Sequence, residues 1–548
     1  MTSKLELIPA RLLWPPKVHD YYSSLFQTAF FLESVDRKRF PDELARLIVV
    51  CATGVLFVVV LAKLRKKIKT AVQRRAFRRH HGCQPAQASA LPVCDIVGLC
   101  VVLRMAYNVL NHRFALGVRK LFDQYGTTHT ARVLHRSMVN TIDPRNLNTI
   151  MKTRFQDCTI IPGRDKLIRV LLGKGVFATD GEDWRRSRAL VRAGMSSYQY
   201  DTARLEVHAA ALIGRVEAQG DRDIDSGRIA FEYTFDSATD FLFGEASDED
   251  RASKLQFAKD FAFLGKMARV LAILISQVPF LAWLMHGSDF HDAQKRVFAF
   301  VDKHVDQAQE RATNPANRSK TKHESIVDGM AATTTDVVRV RTELLNLLLA
   351  RHVTVGIALS ELVYCLAREP EVWTKLQAEV LEQLQGRLPR REDLKLMPYL
   401  NHTINEAIRV RPTLSVHGRR ATCDTVLPVG GGASGEDPLF VSKGTYVVYS
   451  NYALYRNPAV FGAEIDAFRP DRWASIRPAT FEYLNFGAGP RFCPGKEMGW
   501  TMLAYVTVRL AQEVQTLTAR DNRPWEEAKA FSFHNRHGVH VAATMVSM

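Results

Sequence analysis

Ten residues near the C-terminal end, Phe486 to Gly495, combine the groups that a metal-bound thiolate needs. Cys493 offers a thiol. The glycines around it let the backbone turn tightly, approach a flat ligand and aim amides at the sulfur. Arg491, two positions before the cysteine, brings a cation beside an anion. Both influences favour the ionised thiol, which is the form that binds metal. A lone cysteine in a glycine turn is more often a small packed hydrophobe, so the case rests on the whole pattern.

Other pairs carry chemistry by their spacing. Trp184 and Arg188 are four apart on a helix opened by Gly181 with acids in its first turn, so they share one face. Alone they read as a packed tryptophan beside a basic face. Glu406 and Arg409 are three apart in a helix that Pro398 starts and Pro412 ends. Alone they read as an ordinary surface ion pair.

Together these groups resemble the cytochrome P450 family. Phe486, Gly489, Arg491, Cys493 and Gly495 fill every fixed position of its haem-binding pattern, Phe-x-x-Gly-x-Arg-x-Cys-x-Gly. The resemblance implies that Cys493 is the axial ligand of the iron in haem b. It implies that Trp184 and Arg188 donate to a haem propionate, with Arg419 and Arg491 as further cations. Glu406 and Arg409 match the family's Glu-x-x-Arg, and Phe468 to Trp473 matches the segment that supplies Arg472. The implied triad Glu406, Arg409 and Arg472 is buried and structural.

The elements must bring these residues to one place. Asp336 to Glu369 contains no proline and one glycine, Gly356, before Pro370 stops it, and its middle is apolar around most of the circumference. It resembles the long helix over the distal face of the haem. The family pattern there is Ala/Gly-Gly-x-Asp/Glu-Thr-Thr, whereas this chain reads Ala350-Arg351-His352-Val353-Thr354-Val355. Only Ala350 and Thr354 match, which makes Thr354 the catalytic hydroxyl. Val353 can carry no proton, and Arg351 stands where a glycine leaves room for dioxygen, on the same side as Thr354 by helical spacing. The expectation is that Arg351 or His352 organises a replacement water chain for proton delivery.

The 548 residues are 47% hydrophobic and 24% charged, enough for a large buried core. Leu47 to Ala62 is an uncharged run of sixteen, followed by nine Lys or Arg residues and no acid between Lys63 and Arg79. This predicts a signal anchor over residues 47–64 with the bulk of the chain in the cytoplasm. Residues 1–46 then lie in the lumen, 65–103 form a basic juxtamembrane stretch and hinge, and 104–548 form the catalytic domain. About half of the net charge of +17 sits in the basic cluster, where it faces lipid headgroups and not nucleic acid. Val270 to Met285 is a second apolar stretch, broken by Pro279, that reads either as core or as a membrane-dipping entrance.

The scattered cysteines Cys51, Cys83, Cys94, Cys100, Cys158, Cys365 and Cys423 form no Cys-x-x-Cys pair, which argues against a disulfide framework or a zinc site. Gly430-Gly431-Gly432 lacks the Lys-Ser/Thr of a phosphate loop and predicts a hairpin turn. Hydrolase signatures are absent.

The family resemblance implies a mainly helical fold with a small β region, in the endoplasmic reticulum membrane as a single-pass protein. It implies insertion of one oxygen atom from O2 into a hydrophobic substrate, with electrons from NADPH through NADPH-cytochrome P450 reductase. Phe235 to Gly244 and Gly181 to Arg188 look most like the fungal branch that hydroxylates alkanes and fatty acids. A polyketide or terpenoid intermediate is the neighbouring choice of substrate. Because Val353 replaces the acid, a peroxide-using or rearranging haem-thiolate enzyme, or a haem-binding protein without turnover, stands as the alternative.

Overall fold

The apolar run near the start and the basic run after it form one unbroken helix, α1 (Asp42–His80). The computed structural model describes residues 42–86, 99–133, 136–160, 164–196, 202–220, 222–244, 251–277, 288–314, 325–528 and 533–546. The part of α1 apolar enough to cross a bilayer begins at Ile48, and its hydrophobic side chains, Leu56, Phe57 and Val58 among them, are exposed. No proline or glycine separates the apolar and basic halves after Gly54, so nothing in the sequence stops the helix before Gly82. At about 1.5 Å per residue, a bilayer core of about 30 Å uses only half of such a helix.

The chain divides into two units, Met1–His80 and His81–Met548. The expected juxtamembrane stretch 65–103 therefore does not behave as one element. Its first part is helix, and Gln84 and Ala86 already bridge to Leu439 and Gly431 in the second unit. The remainder of the hinge, 87–98, lies outside the described residues, as do 1–41.

The second unit is mainly helical, with ten short strands among the described residues. Five of them, β1 (Thr128–Val133), β2 (Arg136–Thr141), β3 (Cys158–Ile160), β5 (Val416–Ala421) and β8 (Tyr446–Ser450), form a sheet in the order β1-β2-β8-β5-β3. All its pairings are antiparallel except β2 with β8. β4 (Ile224–Asp225), β9 (Val514–Ala519) and β10 (His540–Met545) make a second sheet, and β6 (Thr425–Gly431) pairs with β7 (Asp437–Val441) as a hairpin. The three predicted turn glycines fall at the end of that hairpin, with Gly430 and Gly432 in left-handed conformations.

The helices that build the site are α2 (Gly181–Ser196), α3 (Ser226–Phe243), α4 (Val337–Leu348), α5 (Thr354–Leu366), α6 (Pro398–Val410) and α7 (Lys496–Glu513). α4 and α5 are one continuous rod joined by a π-helical turn, Leu349–Val353. Asp336 caps the start of α4 by accepting from the amide of Arg339 at 3.0 Å, and Pro370 opens the following helix. The rod is buried over most of its length, as its continuous apolar surface predicts: Leu344, Leu345, Leu348, Ile357 and Leu362 have no exposed surface. The apolar stretch Val270–Met285 enters the helix Arg251–Gln277, and 278–287 lie outside the described residues.

Candidate active site

Cys493 sits in a loop fixed by close backbone approach. Its amide donates to the carbonyl of Phe486 at 2.9 Å, which folds the ten-residue motif back on itself. Gly489 has φ of 70°, and a Cβ there would stand 1.9 Å from the carbonyl oxygen of Met151, so no other residue fits. The Gly495 amide points at the sulfur, and Arg188 adds a favourable charge; both pull the thiol pKa down against burial, which is the larger effect and raises it. Cys493 is a free thiol, as are Cys51, Cys158, Cys365 and Cys423.

Four basic or aromatic side chains gather beside this loop. Trp184 and Arg188 are both buried on one face of α2, as their spacing predicts. Arg188 lies over the ring of Phe492 at 4.8 Å, while its Nε and Nη2 have no hydrogen-bond partner. Burial, with Arg192 nearby, pulls its pKa below the ordinary guanidinium value. Arg419 stands on β5 opposite Ile160 of β3, and its Nε is likewise buried without a partner. Arg491 differs. Its Nη2 donates to Asp180 at 2.6 Å and to the Thr179 carbonyl at 2.8 Å, with the guanidinium 4.5 Å from the ring centre of Trp184.

Glu406, Arg409 and Arg472 meet in the structure. Arg409 grips Glu406 through Nε and Nη2, both at 2.8 Å, and Arg472 Nε reaches the same carboxylate at 2.8 Å. Two donors missing from the sequence reading join it: Trp473 Nε1 at 2.9 Å and the amide of Arg469 at 2.8 Å. Glu406 and Arg409 have no exposed side-chain surface, and Arg409 also donates to the carbonyls of Tyr455, Ile465 and Ala467. A buried charge so fully satisfied fixes the segment before the thiolate loop and avoids the penalty of an unpaired ion.

On the distal helix Arg351 and His352, read as candidate organisers of a water chain, both have packed partners on neighbouring helices. Arg351 is buried with its guanidinium 3.6 Å from the ring centre of Phe241 on α3, one Nη 3.4 Å from Ser237, and the other against the sulfur of Met498 on α7. One turn on, Val355 lies against Gly499, so this face belongs to α7. His352 packs between Phe231 and Phe235, ring centres 5.4 and 5.3 Å away, and its Nδ1 meets Thr234 Oγ1 at 3.1 Å. Gly356 continues that face, since a Cβ there would strike Thr234 at 2.9 Å. The two side chains thus lean on α7 and α3, from a turn, Leu349–Val353, that is π-helical and so departs from regular α spacing.

Half-exposed on this helix are Leu347, Ala350, Thr354 and Ala358, which recur at three- and four-residue spacing, with Leu349, His352 and Val353 of the π turn also half-exposed. Thr354 Oγ1 donates to the Ala350 carbonyl at 2.5 Å. Two buried acids on the rod serve other contacts. Glu343 accepts from the Val176 amide at 3.0 Å, and Glu361 from Trp525 Nε1 at 2.8 Å and the Asn535 amide at 2.7 Å; burial raises both pKa values.

The family model for cytochrome P450 matches residues 96–540. The chain belongs to the cytochrome P450 family. Among its relatives, cytochrome P450 monooxygenase himC of Aspergillus japonicus is 35% identical over 490 residues, covering 86% of this chain and 87% of the relative. Cytochrome P450 monooxygenase FPY7 of Fusarium mangiferae is 32% identical over 491 residues, covering 87% and 92%. Cytochrome P450 52A4 of Candida maltosa is 32% identical over 441 residues, covering 76% and 79%. The chain is thus an oxidoreductase of the monooxygenase class, and the P450 family implies a haem iron cofactor.

The residues present fit that group. A P450 haem needs a thiolate and cations for two carboxylates; the loop offers a free thiol with an amide aimed at it, Arg188 against Phe492 is buried with two donors that have no acceptor, and the half-buried Arg419 has a buried Nε without one. Sequence reasoning missed Asp180, which binds Arg491, and the Phe241–Arg351–Met498 stack. Asp180 carries no signal beyond its place just before Gly181, and the stack joins three distant segments.

Proposed function

We propose that this P450 oxidises a hydrophobic small molecule, with a long-chain lipid as first choice and a polyketide or terpenoid intermediate as the neighbour, using NADPH-derived electrons from a flavoprotein reductase. The observation that carries the reading is the open strip of the distal helix: one hydroxyl, Thr354, among the apolar residues Leu347, Ala350, Val353 and Ala358. Such a surface favours an apolar substrate and offers no charge to anchor a polar one. Resemblance to the fungal alkane and fatty-acid branch supports the lipid; the relatives' names give the reaction and no substrate. The exposed apolar part of α1 and the basic helix after it support an anchor in the endoplasmic reticulum membrane with the catalytic unit in the cytoplasm.

When bound, the haem supplies the oxygen-activating chemistry. Cys493 holds the iron, and the Gly495 amide stabilises the sulfur's negative charge. Arg188 and Arg419, with the Trp184 indole N–H, receive the propionates. Glu406, Arg409 and Arg472 keep the preceding segment rigid so that the sulfur stays aimed. Thr354, whose hydroxyl donates to the Ala350 carbonyl, would hold a proton at Oγ1 that water replenishes. The apolar strip excludes bulk water and orients the substrate.

A second reading rests on one observation. With Val353 in place of an acid and both Arg351 and His352 turned away, Thr354 is the sole protic side chain on the strip, which suits peroxide use or rearrangement. The full-chain protein, loaded with haem and assayed with lipids, distinguishes the two. The expected result is a thiolate-type spectrum with carbon monoxide and product formed with NADPH and reductase. Efficient product with peroxide, and none with reductase, would select the second reading.

A further inference from the structure

Two neighbouring side chains on α4 each bury an oxygen with nothing to bond to. Glu343 and Asn346 are three residues apart in the regular part of the rod, so they share a face, and neither has exposed surface. Each is half satisfied. Glu343 Oε2 accepts from the Val176 amide at 3.0 Å and Asn346 Nδ2 donates to the Thr342 carbonyl at 2.8 Å. Glu343 Oε1 and Asn346 Oδ1 have no partner among the described residues. The backbone ahead of α2 lies directly on this face: a Cβ at Gly173 would stand 2.7 Å from Thr342 Oγ1, and one at Gly175 would stand 2.3 Å from Asn346 Nδ2. Glycine at both positions keeps side chains out of the space over the pair.

Orphaned buried oxygens are rare in folded proteins, and two on one helix face mark a place that a small polar group fills. Its chemistry follows from the two oxygens. Asn346 Oδ1 can only accept. Burial raises the Glu343 pKa, against the opposing pull of Ser187, the Val176 amide and Arg339, and so favours the neutral acid, whose O–H donates. A hydroxyl serves both at once, accepting from Glu343 and donating to Asn346. A hydrocarbon serves neither. Asn346 is next to Leu347 and one turn before Ala350, both half-exposed, and eight residues, about 12 Å, before Thr354. We propose that Glu343 and Asn346 form a hydroxyl-binding subsite on the distal helix, filled by the alcohol group of an otherwise apolar substrate, or by water when the substrate carries none. The alcohol rests on the hydrophobic-substrate reading under Proposed function, and the subsite itself on the pair alone.

The test uses the haem-loaded full chain and its variants Glu343→Gln, Glu343→Leu, Asn346→Leu and the Glu343→Leu/Asn346→Leu double. Binding of dodecane and of dodecanol is read from the shift of the haem absorption band, and the denaturant unfolding midpoint is measured on each protein. The parent is expected to bind dodecanol about tenfold or more tighter than dodecane, the scale of one to two net hydrogen bonds. Asn346→Leu and Glu343→Leu should bring the two ligands within about threefold of each other. Glu343→Gln should keep the preference, because its amide oxygen still accepts from Val176 while its NH2 still donates to the guest. The double variant should shift the midpoint by less than the sum of the singles, since a shared guest is lost only once. A dodecanol preference that survives Asn346→Leu, or that disappears in Glu343→Gln, would overturn the alcohol site. Equal binding of both ligands by the parent, with non-additive midpoints, would assign the pair to water and overturn the alcohol. Equal binding with additive midpoints would overturn the subsite altogether. A parent chain that takes up no haem would defeat the reading under Proposed function, and the midpoint cycle on that same protein would still decide whether the pair shares a guest.

Discussion

The two sides of the site are held by different physics. The thiolate side is a lattice of charged hydrogen bonds: Glu406 takes five donors, and Asp180 joins Arg491, Thr159 and Ile160. The distal turn is held by rings, a thioether and a close glycine contact, through Phe241 and Met498 on Arg351 and through Phe231, Phe235 and Thr234 on His352. Charged networks depend on residue identity, whereas apolar packing depends on volume and shape. The first side should therefore fail sharply when one atom type changes, and the second should bend.

The largest effect expected is at the sulfur. Cys493→Ser should abolish turnover and the thiolate-type spectrum of the reduced, carbon monoxide-bound protein, because an alcohol is a far poorer iron ligand than a thiolate. Retention of that spectrum would place the ligand on another cysteine. Next comes the lattice. Glu406→Ala leaves Arg409 and Arg472 without their carboxylate in a fully buried site, and should cost about 3–5 kcal/mol in denaturant unfolding, with haem content falling alongside. A loss below about 1 kcal/mol would mean that the carbonyls of Tyr455, Ile465 and Ala467 alone hold Arg409.

That same difference decided what could be read from the sequence. Glu406, Arg409, Arg472, Cys493 and the pair Trp184–Arg188 stand out in the sequence only through the family's patterns, since their spacings alone read as a surface ion pair, a packed cysteine and a basic face. The long distal helix was legible from its apolar run, its lack of proline and its closing Pro370, and the structure adds the cap at Asp336. The direction of Arg351 was not. Spacing arguments assume regular α turns, and the π turn Leu349–Val353 rotates the face on which they depend. Asp180 escaped for another reason: an acid just before a helix is common, and nothing local records that its partner is 311 residues away.

Acid sensitivity should separate the two sides next. His352, buried against α3, has its pKa lowered from 6.5 to about 4, because burial disfavours the charged ring. Below pH 6.5 the unfolded chain takes up a proton that the folded chain refuses, so stability is intact at neutral pH and falls as pH drops toward 4. The full loss is on the order of 3 kcal/mol for this one group. His129 on β1 shows the same shift, also from burial, so about half of such a loss should remain when His352 is removed. His352→Phe, which keeps a ring between Phe231 and Phe235, should make the fall in stability between pH 6.5 and 4 shallower without changing stability at pH 8. An unchanged slope would mean that His352 is not buried in the folded protein.

The smallest effect expected is at Arg351, and it bears most directly on how protons arrive. Were Arg351 the organiser of a replacement relay, losing its guanidinium would collapse the ratio of product formed to NADPH consumed. Its side chain instead fills the space between Phe241, Ser237 and Met498, on the face of the helix that also carries Val355 against Gly499. Arg351→Met keeps an unbranched chain of similar reach in that space, so stability should change by less than about 1.5 kcal/mol and coupling should hold near the parent value. Val353→Asp acts on the other face. It places an acid beside Thr354 on the half-exposed strip, where a proton donor is otherwise confined to one hydroxyl. Coupling should rise in Val353→Asp if proton supply limits the parent enzyme, and combining the two substitutions should leave that gain intact because they act on separate faces. Collapse of coupling in Arg351→Met alone would restore Arg351 to the proton path and show that its guanidinium leaves the Phe241–Met498 stack when haem and substrate are bound.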